Sequence, residues 1–172
     1  QPTPDPTPQP RTGQWKSGYF GWYAYSDGTY AANETLVIDG LTYRFDASGY
    51  LKMGWVHEAG HWYYHGTSGA QQLGWVKDRG SWYYFDPATG AMATGWAQVG
   101  GTWYLFNASG AMLTGWQYAG SWYYMAPSGA MLTGWQHADG WYYLAPSGAM
   151  LTGTHVINGR TYVFDDSGAW VR

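Results

Sequence analysis

The chain has 172 residues, a formal net charge of −3 and no cysteine, and its 13 Trp and 17 Tyr raise the aromatic share to 20% while charged residues make up 11%. A near-neutral chain without runs of like charge gives no electrostatic case for nucleic acid or an anionic membrane. No apolar stretch approaches the ~18 residues of a membrane span, and the missing cysteines exclude a disulfide scaffold. Aromatics this dense, punctuated by 26 Gly, suit short strands and tight turns rather than one ordinary core.

Residues 1–12, QPTPDPTPQPRT, carry proline at nearly every second position. Such a segment favours an extended polyproline conformation and acts as a semi-rigid spacer. It reads as an interdomain linker, which implies a catalytic or adhesive partner on its N-terminal side. Gln1 opens directly onto it, with no charged and apolar leader, so the chain reads as a mature fragment of something larger.

Residues 13–53 hold degenerate repeats. Trp15 and Trp22 keep a seven-residue spacing, while the unit from Leu36 to Gly49 has lost its Trp residues. Residues 54–153 are regular. The Trp of each Gly-Trp falls at Trp55, Trp75, Trp96, Trp116 and Trp135, and a second Trp follows at Trp62, Trp82, Trp103, Trp122 and Trp141. Residues 154–172 echo the Leu36–Gly49 unit and read as a capping repeat. Self-similarity at about 20 residues with atypical ends marks stacked small units, roughly eight here.

Within a unit, Gly-Trp opens a strand, and a two-residue turn at Ala59-Gly60, Arg79-Gly80 or Gly100-Gly101 folds it back. Three-residue loops at Ala119–Ser121 and Ala138–Gly140 do the same. This pairs Trp55 with Tyr64, Trp75 with Tyr84, Trp96 with Leu105, Trp116 with Tyr124 and Trp135 with Tyr143. Alternation along the strand then puts both Trp residues and the second Tyr of Trp-Tyr-Tyr on one face. The middle Tyr (Tyr63, Tyr83, Tyr104, Tyr123, Tyr142) takes the other face. A lone hairpin is barely stable in water. Stacking is therefore expected to bury the middle Tyr face and the Met and Leu positions as a continuous core, giving an all-β solenoid of stacked hairpins.

Tryptophan is rarely buried completely, and its face is the best aromatic platform for a cation or an apolar sugar face. Two Trp from one hairpin and a Tyr from the next would form a three-sided cage suited to a quaternary ammonium. Other chemistry is weakly supported. His57, His61 and His65 are spaced as a helical metal face, but the intervening turn makes them solvent-exposed hairpin residues. Asp46, Asp86 and Asp165 suit local turn bonding, and no recurring pair suggests acid–base work. Pro-Ser-Gly at Pro127 and Pro146 is a turn, not a nucleophile elbow. No catalytic residue, metal site or cofactor is expected.

Gly-Trp, Trp-Tyr-Tyr and Gly-Ala-Met-Leu-Thr-Gly-Trp at this period resemble the choline-binding repeats of bacterial surface proteins, autolysins and phage lysins. Similar repeats in glucansucrases and glucosylating toxins bind glucans or cell-surface glycans. The resemblance implies a noncatalytic module, secreted or on the bacterial surface, holding choline or phosphocholine of teichoic acid-type polymers. A glycan is the alternative ligand, and the oligomeric state stays open. The family pattern implies cages of Trp55, Trp62 and Tyr84; Trp96, Trp103 and Tyr124; and Trp116, Trp122 and Tyr143. It implies two damaged ones: Trp75 and Trp82 would meet Leu105 with Lys77 beside Trp82, and Trp135 and Trp141 would meet Val163. Trp15 and Trp22 would meet Arg44. The polar positions beside the platforms vary from His57 to Gln98 to Tyr118, which does not look like a repeated sugar-reading set and favours choline.

Overall fold

The computed structural model describes residues 12–16 and 21–172, so the proline-rich segment falls almost wholly outside the described residues. Those residues contain only β-strands, arranged as eight antiparallel hairpins. In chain order these are β1 (Gly13–Lys16) with β2 (Trp22–Tyr25), β3 (Thr35–Ile38) with β4 (Leu41–Arg44), β5 (Gly54–Glu58) with β6 (His61–His65), and β7 (Gly74–Asp78) with β8 (Ser81–Phe85). They continue as β9 (Gly95–Val99) with β10 (Thr102–Phe106), β11 (Gly115–Tyr118) with β12 (Trp122–Met125), β13 (Gly134–His137) with β14 (Trp141–Leu144), and β15 (Gly153–Ile157) with β16 (Arg160–Phe164). Two compact units emerge, Gln1–Gly74 with Phe85–Ala91 and Trp75–Tyr84 with Met92–Arg172.

The register follows from turn chemistry. Ala59 and Gly60 have φ of 50° and 79°, the left-handed pair that a two-residue hairpin turn needs to match the twist of its strands. Trp55 then lies opposite Tyr64, and His57 opposite Trp62. Trp96 lies opposite Leu105. The three-residue loops keep the same register, with Trp116 opposite Tyr124 and Trp135 opposite Tyr143.

Successive hairpins are tied by the chain that leaves each one. In the second unit the Met112 amide donates to the Trp82 carbonyl at 2.8 Å, Met131 to Trp103 at 2.9 Å, and Met150 to Trp122 at 2.8 Å. The adjoining Leu113, Leu132 and Leu151 amides bond back to Leu105, Tyr124 and Tyr143 of their own hairpins. In the first unit Gln71 donates to Thr42 in the same way, at 2.8 Å. These bonds satisfy the outer strand edge that a lone hairpin would leave open, and their repetition builds the β-solenoid within each unit. The Gly-Ala-Met sequence has a packing reason as well: Gly129 has φ +85°, and a Cβ there would overlap the Met112 thioether.

The core lies on the expected face but at a different position. Phe45 and Phe85 in the first unit, and Met125, Leu144 and Phe164 in the second, are the largest fully buried apolar side chains. Each ends or directly follows the second strand of a hairpin, two residues beyond the middle Tyr and therefore on its face. The middle Tyr residues and Met112, Met131 and Met150 are mostly only half-buried, because their outer ends reach the rim between hairpins.

Candidate functional site

The Trp face of one hairpin lies against the middle-Tyr face of the next. Trp75 packs on Tyr104 at 4.8 Å and on Phe106 at 5.8 Å. Trp96 packs on Tyr123 and Trp116 on Tyr142, both at 4.8 Å, and Trp135 on Tyr162 at 4.9 Å. All four contacts are edge-to-face, with interplanar angles from 65° to 69°. In the first unit Trp15 repeats the arrangement on Tyr43 at 4.9 Å.

This differs from the expected third wall. Tyr124 does not face Trp96; it stacks on Trp116 of its own hairpin at 4.6 Å and 22°. Tyr84 and Tyr143 likewise pack on their own Trp75 and Trp135, at 5.1 and 5.2 Å. The reason is strand alternation: the second Tyr shares a face with its own Trp, so only the middle Tyr is turned toward the preceding hairpin. The offset restores the walls thought to be missing. Trp75 meets Tyr104 rather than Leu105, which is buried. Trp135 meets Tyr162 rather than Val163, and Trp15 meets Tyr43 rather than Arg44. Trp55 and Trp62 belong to the first unit and Tyr84 to the second.

The second Trp completes each platform. Trp96 and Trp103 stand 6.4 Å apart at 86°, Trp75 and Trp82 6.3 Å apart at 90°, Trp135 and Trp141 6.4 Å apart at 80°, and Trp55 and Trp62 6.3 Å apart at 81°. Trp62, Trp82, Trp103, Trp122 and Trp141 are 40–47% exposed, so these rings are not core. Two hollows open at the junctions. One, about 280 Å³, is lined by Trp96, Trp103, Tyr123, Met131 and Ser147. The other, about 260 Å³, is lined by Trp116, Trp122, Asp139, Tyr142, Met150 and Ser167. Aromatic walls of this kind suit a large, weakly hydrated cation, because ring faces are negative and such a cation loses little hydration on entry.

The residue opposite the second Trp sets the character of each junction. Lys77 holds its Nζ 5.7 Å from the Trp82 ring centre, as the pairing implied. His57 and His137 lie 4.8 and 4.9 Å from Trp62 and Trp141, and Tyr118 lies 5.5 Å from Trp122. At the last junction Trp170 adds a fourth aromatic, 6.0 Å from Trp135 and 6.1 Å from Tyr162. Sequence reasoning missed it, although Gly168-Ala-Trp170 stands where Gly148-Ala-Met150 stands one unit earlier.

The histidine expectation holds for His57 and His61, which are exposed, and fails for His65, which is 1% accessible. His65 Nδ1 lies 2.7 Å from the Gly69 carbonyl and Nε2 lies 3.1 Å from Arg44 Nη1. An arginine can only donate, so Nε2 accepts, Nδ1–H donates to Gly69 and the ring is neutral. Asp46, Asp86 and Asp165 accept amide bonds within their own turns, as expected. Those bonds hold the Asp86 carboxyl below its usual range, chiefly through the Thr89 amide. Among the described residues no group of three or more His, Cys, Asp or Glu could hold a metal ion. No helix among them is long and apolar enough to cross a membrane.

The family described as choline-binding repeat matches residues 52–94, 93–134 and 132–172. The chain belongs to the choline-binding repeat family. Solved structures agree with this membership. Choline binding protein F of Streptococcus pneumoniae, crystallised in the presence of a tetrasaccharide-pentapeptide peptidoglycan analogue, is 35% identical over 95% of this chain, with a TM-score of 0.81. The modular autolysin LytC of the same organism is 28% identical over 92% of the chain, with a TM-score of 0.65, and CbpJ is 26% identical over 93%, with a TM-score of 0.68. The chain spans 58% of that choline binding protein F chain, 39% of that LytC chain and 87% of that CbpJ chain. No curated protein matches the sequence. In this member of the choline-binding repeat family, the aromatic junctions are the candidate ligand sites.

Proposed function

We propose that this chain is a noncatalytic cell-wall-binding module, secreted or displayed on a bacterial surface, that holds choline head groups of wall polymers and so anchors a larger protein. The observation that carries the reading is the junction of Trp96, Trp103 and Tyr123: two indoles at 86° with a tyrosine ring packed on Trp96, closed by Met131, with no charged group among the lining residues. Such a pocket has little to offer a sugar's hydroxyls, since sugar recognition needs convergent hydrogen-bonding groups. It has much to offer a trimethylammonium. Cation–π contacts of up to ~2 kcal/mol each give a single cage roughly millimolar strength. Several cages on one stack engaging a polymer gain ~10² or more in avidity. The relatives support this reading, since choline binding protein F and LytC have been crystallised with peptidoglycan-type ligands.

Titration of free choline against tryptophan fluorescence, with calorimetric counting of sites, tests the reading. Millimolar choline is expected to shift the emission and raise the melting temperature, because a ligand bound only by the folded state stabilises it. Trp96→Ala is expected to lose one bound choline. A chain indifferent to choline that responds to a glucan oligosaccharide would replace this function with the glycan-binding one.

A further inference from the structure

The junctions are not chemically equivalent, and one differs from its neighbour by a carboxylate. The hairpin loop over the Trp96 cage is Ala119-Gly120-Ser121, whereas the loop over the Trp116 cage is Ala138-Asp139-Gly140. Asp139 lines the second hollow together with Trp116, Trp122 and Tyr142. Its Oδ1 accepts a 2.8 Å bond from the Tyr142 hydroxyl. That bond ties the carboxylate to a cage wall and leaves Oδ2 able to accept another. The same bond, followed by burial, raises the Tyr142 hydroxyl above its usual range, so the tyrosine remains a donor. Ser167 lines the hollow too, and its hydroxyl donates to Asp165 at 2.6 Å. With its proton engaged there, the Ser167 oxygen has lone pairs left to accept a hydrogen bond. The serine of the neighbouring cage, Ser147, has no carboxylate partner of this kind and accepts only the long 3.4 Å bond from the Ala149 amide.

An acceptor set of this kind is wasted on a fully alkylated ammonium, which has no N–H to give. It fits a cation that keeps aromatic contact on its alkyl groups and donates at least one N–H to an ionised acceptor, the stronger class of hydrogen bond. We infer that the Trp116–Trp122–Tyr142 cage, through Asp139, takes N–H-bearing ammonium groups of the aminoalcohol class, whereas the Trp96–Trp103–Tyr123 cage prefers quaternary ones. This rests on the reading of the junctions as cation cages and assigns Asp139 as the residue that divides their specificity. Coulomb attraction alone cannot produce the division, because it would favour both kinds of monovalent cation alike.

The experiment uses the full chain and follows the indole N–H resonances of Trp116 and Trp122 against those of Trp96 and Trp103. The ligands are choline and 2-(dimethylamino)ethanol, which is protonated at neutral pH and carries one N–H. Because the carboxylate is exposed, the effect is modest. The dimethyl compound is expected to bind the Trp116 pair roughly three- to tenfold more tightly than the Trp96 pair. Asp139→Asn keeps an acceptor for Tyr142 and is expected to erase that preference while leaving choline at the Trp96 pair unchanged. Equal binding of the dimethyl compound at both pairs, or a preference that survives Asp139→Asn, would overturn the assignment. Failure of choline to move any of the four indoles would instead remove the choline reading, and the dimethyl compound alone would then decide the role of Asp139.

Discussion

The guanidinium of Arg44 lies 3.8 Å from the centre of the Tyr63 ring, on the middle tyrosine of the next hairpin, where other hairpins set a tryptophan. Thr35 and Thr42 stand at the two Trp positions of that repeat, as Thr35 pairs with Arg44 and Val37 with Thr42. The hairpin that lost both tryptophans thus supplies its own cation. Arg44 is held by Glu58 Oε2 at 2.6 Å, by Gln71 Oε1 and by His65. The arginine fork can meet these acceptors while its flat face stacks on the ring.

Removing Arg44 should therefore cost far more than an ordinary surface cation. With Arg44→Ala, His65 loses a buried donor and Glu58 its partner, and the change is expected to lower stability by about 3 kcal/mol. Arg44→Lys should recover little of it, because an ammonium cannot bond three acceptors and cover a ring at once. Denaturant unfolding checks this; a loss within about 0.5 kcal/mol, typical of plain surface substitutions, would show the network to be idle.

His65 makes the first unit sensitive to mild acid. Burial holds its folded pKa below the ordinary 6.5, with the Arg44 charge adding to the effect. The unfolded chain then takes up a proton that the folded one refuses. Stability is full above about pH 6.5 and falls as pH drops below it, by up to ~1.4 kcal/mol per pH unit. Glu58, lowered from 4.5 chiefly by its bond from Arg44, titrates beneath this window. Phenylalanine is the buried equivalent at Phe45 and Phe85, so His65→Phe should flatten the dependence. Thermal melts at pH 7.5 and 5.5 compare the two, and equal pH slopes would refute the assignment.

Lys77 should act as an internal competitor. Trp75, Trp82 and Tyr104 form a walled junction, but an ammonium already lies 5.7 Å from the Trp82 ring. Lys77→Gln is expected to add one choline to the calorimetric count, and Trp75→Ala to leave the count of the unsubstituted chain unchanged. An unaltered count for Lys77→Gln would mean that the amine does not guard the site.

The hairpins and their registers were legible because both rest on local rules. Period-two alternation fixed which residues face each other, and the turns that fixed Trp55 opposite Tyr64 are written as residue pairs such as Ala59-Gly60. The rotation from one hairpin to the next is written nowhere in so short a span. Alternation puts Tyr124 on the face of its own Trp116, and the rotation then turns the opposite face, with Tyr123, toward Trp96; that second step has no local signature, and there the sequence misled. His65 failed for another reason: it occupies a phenylalanine position, and only the distant Arg44 and Gln71 make a polar ring tolerable there. Trp170 needed no three-dimensional information, only alignment of the last Ser-Gly-Ala with the earlier ones.

The amide bonds from Met112, Met131 and Met150 to the preceding hairpins' tryptophans also govern how the second unit comes apart. The Trp116 hollow draws walls from one hairpin, from the next with its trailing methionine, and from Ser167 beyond. An occupant therefore strengthens the joints between repeats and leaves the repeats themselves unchanged. In a linear array whose stability is a sum of unit and joint terms, that is the quantity that sets cooperativity. On the proposed reading, the second unit frays hairpin by hairpin when empty and melts as one body when loaded.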